Sequence, residues 1–124
     1  LSALKHYRHS DYKECLNDCL KSLESTLKII CSIHEWEILP TDTASKLIKK
    51  VIDNGLIPPF SQTFLTGIRT TLESGVPTFR NKLASHGQGT EQIIVPAHYA
   101  SYMLYITGSS ISFLVECSNE ISKT

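Results

Sequence analysis

From Ser10 to about residue 36, apolar residues recur at steps of three and four: Tyr12, Cys15, Leu16, Cys19, Leu20, Leu23, Leu27, Ile30, Cys31 and His34. That spacing lines them along one side of an α-helix. The pattern predicts a long amphipathic helix over 10–36. Ser10 is placed to cap it, and Asp11 and Glu14 fall in the first turn, where carboxylates complement the helix dipole. Leu39-Pro40 breaks it, because proline cannot continue the hydrogen-bond ladder. A helix this long with one greasy side must be covered by other elements, so the rest of the chain has to supply partners.

Those partners are themselves helical in pattern. Asp42 or Thr43 starts a second helix with a stripe of Ala44, Leu47, Ile48, Val51 and Ile52, and Asn54-Gly55 ends it in left-handed fashion. Leu56-Ile57-Pro58-Pro59 reads as a rigid connector. Ser61 caps a third helix that turns Phe64, Leu65, Ile68 and Leu72 inward. Gly75 and Pro77 interrupt it, so Val76 to Ser85 is either its continuation after a kink or a separate short helix. Gly87-Gln88-Gly89 closes that element. Ile93-Ile94-Val95 is an extended lead-in, and Pro96 suits the first turn of a last helix running to about Asn119. Strand signals are nearly absent. The expected architecture is an all-α bundle of four to five helices over residues 10–120. Residues 1–9 are expected to be a flexible N-terminal segment or the end of a preceding domain. The chain opens Leu1-Ser2-Ala3 without Met, which suits one domain of a longer protein.

Charge and cysteine usage narrow the function. Twelve basic residues balance twelve acidic ones in a chain of 124. That argues against a broad polybasic surface for holding duplex nucleic acid, but a site acting on one phosphodiester needs only a few placed groups. Cys15, Cys19, Cys31 and Cys117 include no CxxC pair and are too sparse for a small secreted disulfide scaffold. They read as reduced, mostly buried thiols of a cytoplasmic protein. Cys31 and His34 lack a second ligand pair, so no zinc site is expected. The run Ile93 to Val115 holds no Asp, Glu, Lys or Arg, yet Pro96, His98, Thr107, Gly108 and four serines load it with polar groups. It is therefore expected to be a helix buried on most sides, some of it at a subunit interface, and not a membrane span.

One segment carries chemistry: Arg80-Asn81-Lys82-Leu83-Ala84-Ser85-His86-Gly87-Gln88-Gly89. An Arg, a polar residue directly after it, and a His five residues further on lie just before a glycine break. The segment resembles the signature of the HEPN superfamily, Arg and then His after four to six residues. It is closest to the C-terminal domain of abortive-infection proteins, although one residue shorter between Leu83 and His86. The opening helix with Leu-Glu-Ser-Thr-Leu-Lys at 23–28 and the Pro-Ala-His-Tyr-Ala start at 96–100 extend the resemblance to roughly 10–118. It implies a HEPN-like fold and a metal-independent endoribonuclease that leaves a cyclic phosphate and a 5′-OH. It further implies an antiphage or toxin setting, with RNA as substrate.

The residues support that chemistry independently. Internal attack on RNA needs the 2′-OH proton removed and the charge developing on phosphorus stabilised. A His that titrates near neutrality suits the first task, and the planar, permanently charged Arg fork suits the second. His86 and Arg80 are thus the expected catalytic pair, and Asn81 is positioned to orient either. Glu24, beside the buried stripe, can pair with Arg80; Lys82 can touch the substrate backbone; His98 opens the last helix and can approach the site. Set against these roles are plainer ones: a surface Arg, a helix-terminal His, a solvated Glu and Lys, and a simple helix-start residue. No metal or cofactor is expected.

Six positions on a straight helix rotate through about 600°, leaving Arg80 and His86 some 120° apart. Two motifs meeting across a two-fold axis would place two Arg and two His in one groove. The resemblance implies such a homodimer, and Tyr99, Tyr102 and Tyr105 suit its interface. An antitoxin or an upstream regulatory domain is a further expected partner. A second hypothesis is a non-catalytic dimerisation or RNA/nucleotide-binding module of a defence protein. Gln88, two residues after His86, stands where the nucleotidyltransferase-paired toxins carry a Tyr, which disfavours that subtype.

Overall fold

A computed structural model describes residues 2–8, 12–57 and 96–122, together with positions 63, 66, 67 and 70. Every regular element among the described residues is a helix: α1 Ser2–Arg8, α2 Tyr12–Ile33, α3 Ala44–Asp53 and α4 Ala97–Ser122. Thr63, Thr66, Gly67 and Thr70 also have helical backbone. The chain is all-α, as its periodicity predicts.

The long helix is the axle. α2 packs against α1, α3 and α4, and α1 also touches α4. Its predicted stripe is its buried face: Cys15, Leu16, Cys19, Leu23, Leu27, Ile30 and Cys31 are all buried, with Tyr12 and Leu20 packed at the margin. α3 buries all five residues of its own stripe. Leu56 and Ile57 follow it into the core.

α2 and α4 run parallel. The Cys19 thiol lies beside the Thr107 hydroxyl, and His34 Nε2 and Ser118 Oγ share a hydrogen bond of 2.7 Å. Residue numbers rise together from the first pair to the second, which fixes the direction. Ala100, Thr107, Leu114 and Ile121 recur every seven residues on α4, and Leu16, Leu23 and Ile30 do so on α2; all are buried or packed on the core. A seven-residue seam is the geometry of shallow helix crossing.

α4 differs from its expected environment. Its buried residues are Ala100, Thr107, Ser110, Leu114 and Ser118, mostly small or hydroxylated. Tyr99, Tyr102, Tyr105, Phe113 and Val115 are exposed. In this chain the helix is buried on one face only. This buried side meets α2, with the Thr107 hydroxyl beside the Cys19 thiol, and the large rings lie outward. The buried hydroxyls are accommodated individually: Ser110 Oγ donates to the Ile106 carbonyl at 2.6 Å, and Ser118 pairs with His34. Thr107 Oγ1 makes no hydrogen bond of full geometry, and the Cys19 thiol lies beside it.

The helix ends follow local rules. After α3, the Gly55 N–H donates to the Ile52 carbonyl at 3.0 Å and the Leu56 N–H to the Val51 carbonyl at 2.9 Å. Gly55 has φ 81°, the left-handed stop that Asn54-Gly55 predicts. α2 ends by the same motif without a glycine. The Glu35 N–H donates to Ser32 at 3.2 Å and the Trp36 N–H to Cys31 at 2.8 Å, with Glu35 at φ 59°. Trp36 then folds back on the core and stacks on His34, ring centroids 4.8 Å apart. A reciprocal turn reverses the chain: the Asp42 N–H donates to the Leu39 carbonyl at 3.0 Å, and the Leu39 N–H to Asp42 Oδ2 at 2.8 Å. Lys28 Nζ pins this turn to α2 through the Pro40 carbonyl at 3.1 Å. Asp42 is thereby spent on the turn, and Thr43 is the residue that precedes α3.

Three boundaries differ from expectation, the first being that α2 stops at Ile33 and not at 36 because the left-handed Glu35 closes it. Residues 2–8, expected to lie outside the helical domain, form α1, and Ala3 joins the core. Ala3 is too small an apolar anchor to announce a helix. α4 extends to Ser122, where the Ser122 hydroxyl donates to the Ser118 carbonyl at 3.2 Å.

Glu35 holds a left-handed conformation that a β-carbon disfavours by about 1–2 kcal/mol. Glu35→Gly should raise stability, by about 1 kcal/mol once the extra freedom of the unfolded glycine is counted. Gly55→Ala should lower it by a similar amount, since space around Gly55 is open and only the backbone resists. Thermal melts of the three proteins check this. A destabilised Glu35→Gly would show that its side chain does more than tolerate the turn.

Thr107→Val keeps the shape of the seam and removes a hydroxyl lacking a full hydrogen bond. Urea titration should find stability unchanged or raised by up to about 1 kcal/mol. A clear loss would make the Thr107–Cys19 contact a stabilising bond.

Candidate functional site

Arg80, Asn81, Lys82 and His86 lie outside the described residues, as do Phe64, Leu65, Ile68 and Leu72 of the expected third helix. Two of the six expected site residues can be placed: Glu24 and His98.

Glu24 sits in the middle of α2, half-buried, directly after the fully buried Leu23. It flanks the core stripe, as its position in the periodicity implies. His98 is in the first turn of α4, exposed, with its ring edge-on to Tyr99 at 4.7 Å. Pro96 starts that helix: its carbonyl accepts from the N–H groups of Tyr99 and Ala100 at 3.1 and 3.3 Å. The seam gives their relation. Cys19 is level with Thr107 and His34 with Ser118. At 1.5 Å per residue, His98 therefore lies roughly 20 Å along the bundle from the level of Glu24. The structure does not bring these two together, and they cannot both serve one phosphodiester within a protomer.

The neighbourhood of His98 was only half visible in the sequence. His98, Tyr99, Tyr102 and Met103 line an open groove of about 470 Å³. A second groove of about 540 Å³ continues along the helix past Tyr105, Gly108, Ser112 and Phe113. Met103 was not among the expected residues. Its signal is its spacing of four from Tyr99, which puts both on one side of a helix. From Ala97 to Val115 this helix carries no Asp, Glu, Lys or Arg. Its outer face is thus aromatic, uncharged and exposed, with Tyr102 and Tyr105 the most open of its rings at 58% and 73%.

Cys19, Cys31 and Cys117 are not activated nucleophiles. All four are free thiols, and Cys15, Cys19 and Cys31 are buried. Burial pushes the Cys19 thiol above its ordinary value of 9.0, outweighing the Thr107 hydroxyl and the Cys15 thiol, which favour the thiolate. Burial likewise raises Cys31, against the pull of Lys50. Cys117 is raised by burial and then by Glu116. Neutral thiols are poor nucleophiles and poor metal ligands.

No helix among the described residues is long and apolar enough to cross a membrane. A family model described as a HEPN-like domain, Abi_C, matches residues 1–118. The chain belongs to this family, the HEPN-like domain of abortive-infection proteins. The match includes α1. No curated protein and no solved structure matches the chain.

The raised thiols fix a pH dependence. In the unfolded chain a cysteine ionises near its ordinary value; in the folded protein it holds its proton to higher pH. Stability is therefore fully present below about pH 8 and falls as pH climbs through 9 and beyond. Urea midpoints between pH 7 and 10 should show this fall, and Cys19→Ala should flatten it. An unchanged slope in Cys19→Ala would assign the loss elsewhere.

Proposed function

We propose that this domain is a metal-independent endoribonuclease of an antiphage or toxin system, working in the cytoplasm as a symmetric homodimer. The observation that carries the reading is the segment Arg80-Asn81-Lys82-Leu83-Ala84-Ser85-His86-Gly87 in a chain of the HEPN-like family. The uncharged, aromatic outer face of α4 supports the dimer, because large exposed rings without charge are typical of surfaces that become buried.

In the proposed reaction the 2′-oxygen of a ribose attacks the adjacent phosphorus, and the bond from phosphorus to the 5′-oxygen breaks. A His86 imidazole removes the 2′-OH proton as the new bond forms. The protonated His86 of the second copy gives a proton to the departing 5′-oxygen. The products are a 2′,3′-cyclic phosphate and a 5′-OH. Arg80 holds the non-bridging oxygens, where negative charge builds up, through its two-pronged donor edge. Asn81 is a positioning residue for His86 or the phosphate, and Lys82 meets the flanking backbone. Glu24 and His98, about 20 Å apart along the bundle, take different tasks: Glu24 orients Arg80 from the core side, and His98 contacts RNA or the second copy. An antitoxin or an upstream regulatory domain would hold the activity in check.

The full-length protein under its trigger should cut single-stranded RNA in EDTA and leave cyclic-phosphate ends. A placed acid or base contributes about 10²–10⁴ in rate, and a charge stabiliser about 10²–10³. His86→Ala and Arg80→Ala should thus each abolish detectable cleavage with helix content and dimerisation intact, and Asn81→Ala should weaken it less. Undiminished cleavage by His86→Ala, or cleavage only with Mg²⁺, would overturn the assignment. A protein that binds RNA or dimerises without cutting would instead be a non-catalytic module of a defence protein.

A further inference from the structure

We draw no further inference here: the strongest candidate, the aromatic groove of His98, Tyr99, Tyr102 and Met103 on the outer face of α4, already belongs to the proposed dimer surface, and nothing in the structure shows what other ligand covers it.

Discussion

The parallel contact between α2 and α4 is the constraint from which the rest follows. Two parallel helices need a long return connection, and here everything between Ile33 and Ala97 makes that return. The contact joins small groups, with the Cys19 thiol beside the Thr107 hydroxyl, to the bulk of Leu16, Leu23, Ile30 and Leu114, and the hydroxyls of Ser110 and Ser118 are buried with them. The His34–Ser118 bond closes one end of it. That bond also fixes the ring on which Trp36 stacks, so the end of α2, the turn after it and the last helix are set together.

The same seam explains the outside of the molecule. A helix that presents its small side chains to the core must carry its large ones elsewhere. On α4 that means tyrosines and Phe113 facing outward over a stretch with no charge. For a family whose proposed chemistry needs two copies of one motif, such a face is a natural place for a second chain. The seam also sets distances. Because residue numbers rise together from Cys19 with Thr107 to His34 with Ser118, Glu24 and His98 are held at different levels of the bundle.

Much of this was legible in the residues, and the misses have physical causes. The stripes of α2 and α3 could be read residue by residue, because leucine, isoleucine and valine repeat there at helical steps and nothing competes. Asn54-Gly55 announced its turn because glycine is the usual left-handed residue. The equivalent stop after α2 carried no such sign, since Glu35 takes that conformation against its own preference. α4 reads as a helix, but which of its residues face the core was not legible, because Ala100, Thr107 and Ser110 make no apolar pattern. α1 escaped because one alanine makes no pattern. The family was legible in the segment from Arg80 to Gly89, while the placement of that segment lies outside the described residues. The separation of Glu24 from His98 was not legible, since it depends on how two distant helices align.

Whether catalysis belongs to a groove shared by two copies can be tested directly by subunit mixing. Wild-type protein and His86→Ala protein would be denatured together, refolded at varied ratios, and assayed for RNA cleavage at constant total protein. A shared groove needing both imidazoles predicts activity falling as the square of the wild-type fraction, to about one quarter in an equal mixture of an isologous dimer. A linear fall, to about one half, would mean that each chain cuts RNA alone and would contradict the shared groove.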